Sequence, residues 1–379
     1  MENANTLSMP WYIKVLRALK KFFTNRTFLY IVKRILTSFV TLLILVAIVS
    51  LLIRLLPDEY FYKLNKYDEL LGKSGEIVAE NYRKKTLFLY GILDENGNRI
   101  PAIQSIFQYI YYILPFPKSI PYVWDRKYEK VTKTWTGLIY LGRSISKNQF
   151  VADIIKERMG ISFTISIISV FFTYLVGFPL GIAMAKKPGG VVDKIGTAFI
   201  VLNYAIPAIV FYLFINTWTG NKQGMWGWAS FDYTYVEGDP RTLIMPIFCI
   251  FFLSLPGLII WVRRFMVDEL NSDYVKFARS KGLSENRIMY FHVFRNASVP
   301  LIRNIPATLL GAIIGSYFVE SIWVIPGTGK ELVQALQGTP DVPAIQGLTV
   351  LYATISMLAF LLGDLITVFF DPRIRLTSK

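Results

Sequence analysis

In 379 residues the chain has one cysteine, Cys249, and one histidine, His292. A lone cysteine excludes an intrachain disulfide, and the two residues together leave too few soft ligands for a metal cluster. Set inside an apolar run, Cys249 reads as a small core residue. Charge is also sparse, at 18% of residues, against about 25% in ordinary soluble domains. A nucleotide site is missing as well. Gly327-Thr-Gly-Lys330 has the outline of a phosphate-binding loop, but such a loop needs Gly where Val324 stands and Ser or Thr where Glu331 stands. Those residues read as a turn, and any nucleotide chemistry must belong to a partner.

What fills the chain instead is apolar: 53% of residues are hydrophobic and 15% aromatic, the composition of an all-α integral membrane protein. Six runs are long enough to cross a bilayer: 35–56, 163–185, 197–218, 243–262, 301–324 and 345–370. Six crossings put both termini on one side. Residues 1–34 form a polar tail with a basic amphipathic stretch at 11–23 (Lys14, Arg17, Lys20, Lys21). It reads as an interfacial helix rather than a cleaved signal, because no small-residue cleavage site follows the next apolar run. Residues 57–160 mix charges of both signs with many aromatics, a turn signal at 94–98, and an apolar run at 102–114 too short to span. They are expected to form a folded extracytoplasmic insert between the first and second spans, either a docking surface or a stabilising lid. Residues 161–379 hold the other five spans.

Charge asymmetry orients the chain. With both ends inside, the short inner segments hold Lys33, Arg34, Lys186, Lys187, Lys194, Arg263, Arg264, Lys276, Arg279 and others, whereas the short outer ones hold only Lys222, Arg241 and Lys330. A long insert is exempt from the rule. The termini and the polar loop at 263–300 are therefore expected in the cytoplasm. Basic residues gathered beside apolar spans, not interleaved with aromatics in a groove, also make topology rather than nucleic acid the meaning of the +15 net charge.

Within that loop, residues 271–300 carry the grammar of two short helices. Asn271 or Ser272 is placed to cap the first through its side-chain oxygen, Gly282 suits the left-handed residue past its end, and Ser284 can cap the second. Tyr274, Ala278 and Gly282, four apart, share a stripe that another chain could approach closely, with Lys276, Arg279 and Lys281 around it. The second helix, at 285–296, carries Ile288, Met289, Phe291, Val293 and Phe294. The first helix is expected to be presented and the second to mount it on the bundle or the lipid interface.

The stretch DYVKFARSKGLSENRIMYFHVFRNASVPLI resembles the EAA loop of ABC transporter permease subunits, in the form found in oligopeptide, dipeptide and nickel importers. The matching positions are Asp273, Tyr274, Ala278, Arg279, Lys281, Gly282, Leu283, His292, Arg295, Asn296 and Pro300. Lys276 and Phe277 replace the Glu and Ala of the general consensus, and His292, Phe294 and Arg295 replace its Ile-x-Leu-Pro ending. Both departures point to the peptide and nickel branch. The first span with Arg54 and Pro57 is similar to the same family, as is the C-terminal third through Glu320, Pro326, Gly327, Gly329, Gln346, Gly347, Asp364, Asp371, Pro372 and Arg373.

The resemblance implies a type I ABC importer permease fold in a bacterial plasma membrane, multi-pass, with cytoplasmic termini. It implies a chain with no cofactor of its own, ATP and Mg being held by two cytoplasmic ATPase subunits that receive the loop. A second, homologous permease subunit, an extracytoplasmic substrate-binding protein, a peptide substrate and membrane lipid complete the expected partners, with no nucleic acid. Oligopeptides are the expected cargo, with dipeptides or nickel as alternatives.

Ionisable groups inside spans are expensive unless they face a cavity or a partner. Glu320 and Asp364 are the candidates here, and Asn203, Tyr204 and Pro207 give the third span a hydrogen-bonding and bending point. Asn203, Tyr204, Pro207 and Glu320 are candidates to line a substrate pathway, with helix-to-helix packing as the competing reading of each. Two other function classes stay open. A secondary transporter run by an ion gradient would use titratable or unwound helices at mid-membrane, and a membrane-anchored receptor would bind through its insert without transport.

Overall fold

The computed structural model describes residues 26–94, 96–125, 130–220, 234–338 and 340–370. The interfacial stretch expected at 11–23, Lys222, and the Asp371-Pro372-Arg373 ending lie outside those residues. The first span is α1 (Arg26–Arg54). The insert follows with a 3-10 turn at Asp58–Phe61, α2 (Leu64–Ser74), α3 (Glu76–Leu89), α4 (Ala102–Ile113) and an antiparallel hairpin of β1 (Lys118–Asp125) and β2 (Lys130–Gly137). Next come α5 (Val151–Lys186), α6 (Val191–Ala205), α7 (Ala208–Gly220) and α8 (Ile244–Leu270). The polar loop contains α9 (Asp273–Ser280), α10 (Glu285–Arg287), a π-helical turn (Ile288–Val293) and α11 (Phe294–Arg303). Then α12 (Ile305–Ile322), α13 (Thr328–Leu336) and α14 (Val342–Phe370) end the described chain.

In lipid a backbone can satisfy its own polar groups only by coiling or by closing a barrel, and five of these helices are long and apolar enough to cross: α1, α5, α8, α12 and α14. The count reaches six when α6 and α7 are taken as one broken span. The third crossing, expected as one helix at 197–218, is thus corrected: two helices meet at 93°. Pro207 is the cause. It offers no N–H, and its ring forces Ile206 into extended backbone, with φ −88° and ψ 120°.

The bundle is held by close helix contact at small residues. A β-carbon on Gly177 would lie 2.7 Å from Leu258, and one on Gly181 would lie 2.6 Å from Val262, so α5 and α8 meet where side chains are missing. Ionic links tie the end of the bundle beside the polar loop. Asp364 of α14, 5% exposed, accepts from Arg34 of α1 and from Arg303 of α11 at 2.9 Å. Asp193 of α6 receives both Nε and Nη2 of Arg263 at 2.5 and 2.7 Å. Asp364 is therefore a structural cross-brace.

At the opposite end the insert is not freestanding. Phe61, Leu87 and Ile92 form one cluster with Val342, at the start of α14. Asp341, 1% exposed, draws in the segment before α5: it accepts from Ser144 Oγ (2.5 Å), Ile145 N (3.1 Å), Ser146 N (2.9 Å) and Ser146 Oγ (2.6 Å), while Lys147 pairs with Glu331 of α13. The insert also departs from the all-helical expectation through its hairpin, and it ends near residue 150, because α5 begins at Val151 rather than at 163. The expected turn at 94–98 forms: Asp94 Oδ1 accepts from Asn96 N and Asn98 N, and Gly97 takes φ +80°.

Candidate functional site

The loop between α8 and α12 is built from an apolar seam and a polar outer face. Val275 and Ala278 of α9 enter a buried cluster with Ile182 and Ala185 of α5, Val262 and Met266 of α8, and Ile288, Met289, Val293, Ala297 and Leu301 beyond the break. Burying a side chain such as Val275, Ile288, Met289 or Val293 contributes about 1.5–3 kcal/mol, against about 0–1 kcal/mol for an exposed ion pair. Apolar anchoring, not surface charge, fixes where α9 sits.

The break itself follows from Gly282, whose φ of +71° a side chain would strain. Leu283 N donates to Ala278 O at 3.3 Å and Gly282 N to Arg279 O at 2.9 Å, the paired bonds that close a helix on a left-handed residue. The capping expectation is corrected in part. Ser272 occupies the N-cap position, but its hydroxyl donates back to Glu269 O, and Asn271 Nδ2 donates to Val267 O at 3.2 Å. Both side chains close the end of α8 instead of opening α9. Ser284 also stands at a helix start without a side-chain cap bond.

The small-residue stripe is corrected too. Ala278 is 6% exposed and buried against the chain's own bundle, and Tyr274 is half-buried with its hydroxyl donating to Glu269 Oε2 at 2.6 Å and bonded to Asn296. The same smallness that would admit a partner admits the seam. Asp273, Arg279, Gly282, Arg295 and Asn296 are exposed, while Leu283 and His292 are half-buried. The residue that sequence reasoning passed over is Phe277, 59% exposed on α9, with Lys281 Nζ 4.4 Å over its ring. Its signal was available: two positions from Val275 places it about 200° around the helix from the buried seam.

Across the break, Arg279 Nε and Nη2 donate to Glu285 Oε1 and Oε2 at 2.8 and 3.2 Å. The guanidinium holds the Glu285 carboxyl below its ordinary 4.5. A depressed acid adds stability that is complete above the ordinary value and fades as pH falls through the lowered one. Amide protection of Gly282 and Leu283 should therefore stay level from about pH 8 to about pH 5 and drop below about pH 4. In Glu285→Gln the profile should be flat, and matching profiles in the two proteins would show that the pair does not tie the break.

The candidate pathway residues are not brought together. Asn203 is buried and donates to Phe252 O at 3.2 Å, bracing the bend, while Tyr204 is 60% exposed and Pro207 is exposed. Glu320 is corrected from a pathway group to a clamp. It is fully buried, accepting from Ser162 Oγ and Ser316 Oγ, both at 2.7 Å, and from Lys330 N at 2.9 Å. A desolvated carboxylate needs such donors. The Gly327-Thr-Gly-Lys330 turn is spent on the same knot, since Thr328 N donates to Ser162 Oγ at 2.9 Å and any β-carbon on Gly327 would collide with Glu320.

Residues 177–376 match the family described as binding-protein-dependent transport system inner membrane component. The chain is 35% identical over 213 residues to the oligopeptide transport system permease protein AmiC of Streptococcus pneumoniae, an alignment covering 56% of this chain but only 42% of that protein. It is 31% identical over 258 residues to the dipeptide transport system permease protein DppB of Lactococcus lactis, covering 67% of this chain and 81% of that protein. Among solved structures, an inward-facing form of the MetNI methionine ABC transporter aligns at a TM-score of 0.48 and 15% identity, covering 58% of this chain and 97% of that one.

Proposed function

Since the chain belongs to the family of binding-protein-dependent transport system inner membrane components, we propose that it is the permease subunit of an ATP-driven importer. It forms half of a translocation pathway together with a second, homologous permease. Its cargo is oligopeptides, a reading supported by relatives named for oligopeptide and dipeptide transport. ATP and Mg are held by two cytoplasmic ATPase subunits, and cargo is delivered by an extracytoplasmic binding protein. The charge asymmetry supports cytoplasmic termini and an extracytoplasmic insert.

The observation that carries this reading is the presentation of α9. It lies within the family match, its seam is locked onto α5 and α8, and its outer face offers Phe277 among Lys276, Arg279 and Lys281. An aromatic knob in a basic ring on a rigidly mounted helix suits a pocket on another protein. Closure of the two ATPases would draw the paired α9 helices together and turn the spans from inward-open to outward-open, and hydrolysis would let them return. The break at Pro207 is a feature an ion-gradient carrier would share, and nucleotide dependence separates the two.

The test is purification of the intact complex from native membranes, with identification of the companion chains and an uptake assay in vesicles. Two ATPase chains, a second permease and peptide uptake that needs ATP and survives collapse of ion gradients are expected. Uptake that follows a gradient without nucleotide would overturn the reading.

A further inference from the structure

The apolar helix of the insert, α4, is bare along its outward side. Ile103, Phe107 and Tyr111, four apart on one stripe, are 70, 68 and 49% exposed, and no residue of α4 is buried. Exposed Phe116, Leu138 and Ile139 gather near its C-terminal end, where Tyr140 N donates to Tyr112 O at 2.8 Å and holds the second segment in place. Residues 100–117 carry no charge at all. A contiguous apolar surface of this kind marks contact with a membrane or with another protein.

The element that α4 leans on decides between them. It packs against α1, the least covered of the unbroken spans: 11% of its apolar window is buried, against 28–44% in the others. Ile44, Ile48 and Leu52 continue a bare aliphatic face along α1. Arg54 closes that window, and its Nη2 donates to Ile100 O at 2.9 Å, which pins the start of α4 level with the end of α1. A helix running from there into water would leave α1 behind. Instead α4 stays on α1, and its Gln108 and Tyr112 line one cavity with Ser50, a turn below Arg54.

The 12 residues of α4 reach about 18 Å, short of the roughly 30 Å of hydrocarbon, so it enters the bilayer without crossing. Its far end is finished for such a place. Lys118 Nζ donates to the carbonyls of Tyr111, Tyr112 and Leu114, the last two at 3.0 and 2.6 Å. Carbonyls at a helix end have no partner in the helix, and hydrocarbon offers them no donor.

We propose that α4 lies in the leaflet where α1 ends, with Ile103, Phe107 and Tyr111 against lipid acyl chains and with Phe116, Leu138 and Ile139 extending the same contact. The insert is then held to the bilayer surface at two places, by α4 in lipid and by the bonds of Asp341 to residues 144–146. The proposal needs α1 to cross the bilayer. It holds for either orientation of the chain and for any cargo.

Nitroxide labels on single cysteines test it in the intact complex, reconstituted into vesicles of phosphatidylcholine and phosphatidylglycerol on a Cys249→Ala background. Oxygen concentrates in hydrocarbon, whereas a nickel chelate, supplied on both sides, stays in water. The label on Phe107→Cys or Tyr111→Cys should be relaxed more by oxygen than by nickel, as should one on Ile48→Cys in the lipid face of α1. Asp68→Cys, exposed on the charged helix α2, should show the reverse order. Both stripe positions are exposed, so neither cysteine disturbs packing. Nickel ahead of oxygen at 107 and 111 would put α4 in water and overturn the proposal. Labels there that neither reagent reaches would put a protein on the stripe, a second permease or a binding protein, and would overturn it too.

Discussion

Phe277→Asp should abolish ATP-driven uptake while the chain still folds, inserts and assembles with the second permease. The side chain is 59% exposed on α9 and contributes nothing to the buried seam of Val275 and Ala278, so its replacement costs the fold little. A partner that receives α9 would lose a central aromatic anchor and would have to desolvate a carboxylate in its place. Losses at such anchors run to about 2–4 kcal/mol, or roughly 30- to 1000-fold in affinity. Co-purification of ATPase subunits and uptake should fall together. Full uptake by Phe277→Asp would remove α9 as the point of attachment, whereas Lys276→Ala, at the rim, should weaken association only slightly.

The second large effect is on stability. Glu320→Ala should destabilise the detergent-solubilised protein by about 3–5 kcal/mol, because it leaves a cavity and strips Lys330 N and Ser162 Oγ of a buried acceptor. Ser316 Oγ suffers less, as it also bonds Ile313 O at 2.6 Å. Glu320→Gln keeps the shape and one acceptor oxygen and should lose less than half as much. Thermal unfolding followed by tryptophan fluorescence is suited to this, since Trp323 is buried close by in the chain. If Glu320 instead faced cargo, Glu320→Gln would change which peptides are taken up and leave stability alone.

Hydropathy located the crossings well but not where α5 begins. The turns at its start carry Asp153, Lys156, Glu157 and Arg158, and a helix that continues past the lipid no longer needs to be apolar. Helical periodicity put Tyr274 and Ala278 on one side of α9 but gave that side to another chain, and it did not separate them from Gly282, which stays exposed. Tyr274, Ala278 and Gly282 are four apart whatever covers them, and nothing local distinguishes the chain's own bundle from another chain. Ionisable residues show the same limit. Asp364 stood out as an acid in a span, yet its partners Arg303 and Arg34 lie 61 and 330 positions away. Asp341 was not singled out at all, although an Asp directly ahead of a Val-Pro helix start is a signal for an N-cap. The hairpin had its own mark in the β-branched and aromatic residues of 118–137, obscured by the helical pattern around it.

At 1.5 Å per residue the 36 residues of α5 reach about 54 Å, well beyond the roughly 30 Å of hydrocarbon. One tip, with Val151 and Ile155, is wedged among Ala335, Ala344 and Leu348, and the other, with Ile182 and Ala185, is wedged against α9. A single strut therefore reaches from one water layer to the other. Displacement at either tip arrives at the far tip as displacement, with only the kink allowed by Pro179 to absorb it, and no chain of switching side chains is needed in between.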